Sequence, residues 1–155
     1  MLNLDDPANR RVVELFAKRD QRDEPLDEPA YYPPIEHLTT HPDVLDRVWK
    51  TLGGALPPTC GRFVHGVACL VHDRSGIVLA FGWGTEYAVR LRRPDLAAAL
   101  LTGASPTKKW AGGDVTDLSA ELGPDWVWGY FTDAEPQWIA AAYGAFSGVS
   151  SLSDA

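Results

Sequence analysis

Between Arg62 and Arg92 the chain carries three apolar runs, FVHGVACLVH, GIVLAFGW and TEYAVRLR, parted only by DRSG and by the glycines that flank Trp83. The runs are rich in β-branched and aromatic residues and are separated by turn formers, which predicts an antiparallel meander over about 62–92. In the middle run Ile77, Leu79, Phe81 and Trp83 alternate with Val78 and Ala80. Both faces are apolar, so this strand is expected to be covered on both sides. In the third run Tyr87, Val89 and Leu91 face one way and Glu86, Arg90 and Arg92 the other. Its second face is therefore expected to meet water or a polar ligand.

The flanking segments supply helices. Asp5 and Asp6 precede Pro7, whose missing N–H suits the first helical position, and Val12, Val13, Leu15 and Phe16 give a helix over about 7–20 one apolar stripe. Residues 21–41 hold prolines and acids in quantity and read as a wrapping loop, with Tyr31 and Tyr32 as anchors. Thr40 or His41 can cap a second helix that starts at Pro42 and stops at Gly53-Gly54. Beyond the meander come a short alanine-rich helix from Pro94 to Leu101, a possible edge strand at KKWAG, one or two helical turns in VTDLSAEL and a strand at DWVWGYF. Thr132 begins a capping box for a closing helix that turns Trp138, Ile139, Ala142, Tyr143 and Phe146 inward. Trp126 and Trp128 share a strand face and are expected to stack on that helix.

The sum is an α+β fold: an antiparallel sheet of about four to five strands built on the meander, helices packed on one face, two N-terminal helices and one C-terminal helix. One domain is expected over 1–148, followed by a frayed tail at 149–155.

With 45% apolar and 23% charged residues the composition excludes disorder and coiled coil. The formal charge of −7 argues against nucleic acid or an anionic membrane as the partner of the whole chain. The first residues carry acids where a signal peptide has bases, and no apolar run approaches the roughly 20 residues of a membrane helix. Cys60 and Cys69 read as reduced thiols, which points to the cytoplasm.

Candidate chemistry divides into what the residue types allow and what their spacing weakens. Cys60, His65, Cys69 and His72 could all bind a metal, but they are strung along one strand and its lead-in rather than paired on turns, so no metal site is predicted. His37 and His41 need not share a face, because Pro42 biases the latter away from helix. Ser75 lies in a turn, without a nucleophile elbow. Cys69 sits among Val67, Ala68, Leu70 and Val71, an apolar setting that raises a thiol's pKa and makes it inert. FGWGTEY leads into strand and offers no helix end to a phosphate. Asp114, Asp117 and Glu121 are explained as acids near the start of a short helix. No catalytic set and no cofactor is predicted.

One asymmetry does suggest a site. From Glu86 to Lys109 five bases, Arg90, Arg92, Arg93, Lys108 and Lys109, outweigh two acids by three charges, so the remainder of the chain sums to −10. These bases are expected to form an anion-binding or acidic-partner surface, with Trp83 and Trp110 as stacking groups. Defence of a sheet edge by lysine and arginine explains the same residues without a ligand. The leading expectation is a non-enzymatic binding protein with a protein partner or a small anionic ligand. The alternative is a small-molecule-binding domain or enzyme with a polar pocket over the sheet formed by His65, Glu86 and Arg90, and a third reading is weak nucleic-acid or anion binding through the local basic patch.

Overall fold

The computed structural model describes residues 2–18, 26–30, 41–107, 117–129 and 134–147. Among them lie five α-helices and one six-stranded antiparallel sheet whose strands follow one another in chain order, β1 (Asp27–Pro29), β2 (Gly61–Val64), β3 (Val67–Val71), β4 (Val78–Trp83), β5 (Glu86–Arg90) and β6 (Trp126–Trp128). The α+β meander read from the sequence is this structure. Two details differ. The sheet gains β1 from a stretch whose Asp-Glu-Pro reads as loop, because proline is tolerated on an edge strand and Asp27 is pinned there by an ion pair with Arg62 and by the Leu2 N–H at 2.9 Å. The helices also cover both faces of the sheet rather than one.

That second difference follows from the strands themselves. All residues of β3 and β4 are buried, so each face needs a cover. On one side α1 (Pro7–Ala17) lays Val12, Leu15 and Phe16 on Val67, Cys69, Phe81 and Trp83, and α4 (Leu118–Glu121) adds Leu118. On the other, α2 (Pro42–Asp46) with its π-helical continuation Arg47–Leu52, α3 (Asp95–Leu101) and α5 (Glu135–Ala145) enclose Leu70, Leu79, Tyr87, Val89 and Val127. Trp126 and Trp128 face α1 and α4 with Phe81, not the closing helix as their sequence position suggested. Gly129 bears no side chain because the Tyr87 ring lies against it, where a Cβ would collide. KKWAG, the capping box at Thr132, Tyr31, Tyr32, His37, Asp114 and the 149–155 tail fall outside the described residues.

Local chemistry fixes the ends of these elements. Asp6 caps α1 by accepting the Ala8 N–H at 2.8 Å, and His41 caps α2 by accepting the Asp43 N–H on Nδ1 at 3.1 Å. Gly53 donates to the Val48 carbonyl five residues back, which closes the wide π-turn. In the β3–β4 turn His72 is completely buried; its Nδ1 accepts the N–H groups of Arg74 at 3.1 Å and Ser75 at 3.3 Å. Its Nε2 lies 3.1 Å from the Tyr143 carbonyl, its ring stacks on Tyr143 at 4.1 Å, and the Tyr143 hydroxyl donates to Asp73 at 2.7 Å.

An imidazole that accepts on Nδ1 has to be neutral, and burial pushes the His72 pKa below its ordinary 6.5 against the opposing pull of Asp73. The unfolded chain then binds a proton that the folded chain does not. Stability from this group is complete above about pH 6.5 and is lost as pH falls from there through the lowered folded value. Urea midpoints of the natural protein should decline between pH 7.5 and 5, and a His72→Gln variant should show a flatter profile over that window. Identical profiles would contradict this account of the turn.

Candidate interaction surface

The predicted basic residues divide by burial. Arg90 ends β5 and is only 7% exposed, lying against Phe146 at the end of α5 and beside Asp6 at the start of α1, on the face expected to meet water or a polar ligand. Its guanidinium carbon lies 4.5 Å from the centre of the Phe146 ring and that of Arg92 lies 4.8 Å from it, so the two arginines meet on one aromatic side chain. Arg90 Nη1 is 4.0 Å from Asp6 Oδ2. Burial pushes the Arg90 pKa down, Asp6 and Asp125 oppose that effect, and Arg92 adds to it. Arg92 is half-buried and Arg93 is exposed. Lys108, Lys109 and Trp110 lie outside the described residues.

Trp83 does not serve as a stacking surface. It is buried at the end of a central strand, with its ring 5.7 Å from Phe16 and 6.0 Å from Phe81. Nor do His65, Glu86 and Arg90 form a pocket. His65 sits in the β2–β3 turn at φ 46°, β3 and β4 intervene before β5, and Glu86 and Arg90 occupy opposite ends of that strand. Four residues of strand set those two backbones roughly 13 Å apart.

Cys60 and Cys69 are free and buried, and burial raises both thiol pKa values, that of Cys69 well above the ordinary range. His65 and His72 lie in turns at opposite ends of β3. No group of three or more His, Cys, Asp or Glu suited to a metal occurs among the described residues. No helix among them is long and apolar enough to cross a membrane.

The next element, α3, supplies the surface that the sequence reading passed over. Arg92 and Arg93 lead into it, and the Leu96 N–H donates to the Arg92 carbonyl at 2.9 Å. The helix buries Ala99 completely and half-buries Leu96 against the α5 side of the core. At 100° per residue Ala97, Ala98 and Leu101 then occupy the outer arc and Leu100 flanks Leu96 beside it, and all four are exposed. Leu100 is 45% exposed and Leu101 is 89% exposed.

No polar side chain follows Asp95 in this helix. A helix that is apolar all round is normally enclosed, so an outer arc of alanine and leucine in water is an exposed apolar surface without a solvated face of its own. The signal lay in the letters LAAALL, where four of six residues would have needed polar replacements to suit a solvated face.

A concave feature lies at the other end of the sheet. A cleft of about 550 Å³ opens between α2 with its π-turn and the β4–β5 turn, lined by His41, Asp43, Asp46, Arg47, Thr51 and Thr85 over Val44. Arg47 reaches from this wall to Glu135 at the start of α5, with Nη2 2.8 Å from Oε1, and Glu135 is fully buried. No family model, curated protein or solved structure matches this chain.

Proposed function

We propose that this chain is a binding protein whose partner is another protein, docked through the outer arc of α3. The observation that carries the reading is the pair Leu100 and Leu101, adjacent, apolar and left in water on a helix with no solvated face of its own. Exposed Arg93 at the base of the helix favours a partner with an apolar stripe bordered by carboxylates. A second copy of this chain is disfavoured, since both copies would carry −7. The free, buried Cys60 and Cys69 suit a cytoplasmic setting. The cleft beside Arg47 favours a second reading, a small-molecule site, at α2 rather than at the His65, Glu86 and Arg90 set.

A photocrosslinking residue placed at Leu101 in cells should capture one identifiable protein, and the same residue at exposed Thr59 should not. Burying a leucine stabilises a complex by roughly 1.5–3 kcal/mol. Leu101→Glu should therefore weaken the purified pair at least about tenfold while changing the stability of the free protein by no more than about 0.5 kcal/mol. Capture of a second copy, or equal capture from both positions, would overturn the reading.

A further inference from the structure

Buried guanidinium groups ordinarily spend their five N–H donors on carbonyls and carboxylates, and each one left unmet inside a protein is costly. Arg90 departs from that rule. Its side chain is 8% exposed, and neither Nε nor Nη1 has a hydrogen-bond partner among the described residues. The nearby acid does not meet the need: Asp6 Oδ2 stands 4.0 Å from Nη1, beyond hydrogen-bond reach, and Asp6 Oδ1 is committed to the α1 cap. A second guanidinium, that of Arg92, lies over the same Phe146 ring. The ring holds both planar groups at the end of β5, and Arg92, only half-buried, is the member of the pair that solvent reaches.

We propose that Arg90 and Arg92 form a subsite for a small oxyanion, a carboxylate or a phosphate, which takes the unmet N–H groups of Arg90 as its principal donors. A planar fork of N–H groups matches the paired oxygens of such an anion, and a site with little water strengthens each charge-assisted bond. The opposing charges of Asp6 and Asp125 limit the subsite to a small anion and argue against a polyanion. It is distinct from the apolar arc of α3 and does not depend on a partner protein.

The test is a titration of the full chain with sodium acetate and, separately, with sodium phosphate, at ionic strength held constant with chloride. The Arg90 Nε–H resonance and the thermal midpoint are followed together. The subsite predicts a saturable shift of that resonance and a raised midpoint with at least one of the two anions. In Arg92→Gln, which leaves Arg90 and the core in place, the apparent affinity should fall about tenfold. Saturation by acetate alone assigns a carboxylate ligand, by phosphate alone a phosphate ligand, and by both a general oxyanion site. An Arg90 resonance that moves with neither anion beyond the chloride control would overturn the proposal. So would a midpoint shift that Arg92→Gln leaves unchanged.

Discussion

Replacing Asn9 with alanine should cost the fold about 3 kcal/mol, the sum of several buried polar groups that lose their partners. Asn9 lies in the first turn of α1 and is 1% exposed. Its amide donates to the Gly76 carbonyl at 2.7 Å and to the Asn3 carbonyl at 2.8 Å, while its oxygen accepts the Val78 N–H at 3.0 Å. One side chain thus completes the hydrogen bonding where β4 begins and fastens α1 to the β3–β4 turn. Alanine keeps the helix and leaves the Val78 N–H stranded in a dry place. Asn9→Asp keeps the acceptor and loses both donors, so it should also be costly. Urea unfolding of the natural protein and both variants measures this. A loss under about 1 kcal/mol for Asn9→Ala would mean that water replaces the side chain.

The second large effect concerns Arg47 and Glu135. The pair joins the π-turn to the first residue of α5 across the outer edge of one core layer, and Glu135 has no exposed surface. Breaking a buried ion pair from one side typically costs about 3 kcal/mol, because the remaining charge stays buried, whereas replacing both members by apolar groups is often close to neutral. Arg47→Leu should therefore be strongly destabilising, and adding Glu135→Leu should recover most of the loss. A double variant whose cost equals the sum of the two single costs would contradict the account of the pair as a coupled unit.

The meander was legible because alternation and turn formers are local signals, and FVHGVACLVH, GIVLAFGW and TEYAVRLR carry both. The caps at Asp6 and His41 were legible for the same reason. The β1 strand was not, since Asp-Glu-Pro owes its extended pairing to Val64, Phe63 and Arg62, more than thirty residues away. Coverage of both sheet faces was implied by the two-sided apolar pattern of β4, but which helix goes to which face is a long-range matter.

The proposed site was only half visible. Segregation of the arginines could be counted, yet burial of Arg90 against Phe146 depends on where α5 ends. Trp83 is not readily assigned to the core from sequence, because the Phe16 ring that covers it comes from α1, while Phe81 beside it lies two residues back on its own strand. The leucines of α3 were in plain view, but their meaning required knowing that only Ala99 and Leu96 turn inward.

The claim on which the functional account turns is that the outer arc of α3 is a docking face. Its most direct test is the dissociation constant of the protein captured at position 101, measured with purified components against the natural chain, Leu101→Glu and Arg93→Glu. The account predicts at least a tenfold loss for Leu101→Glu at any salt, and a loss for Arg93→Glu that shrinks as salt rises. Unchanged affinity for Leu101→Glu, in a variant that unfolds at the same urea concentration as the natural protein, would contradict it.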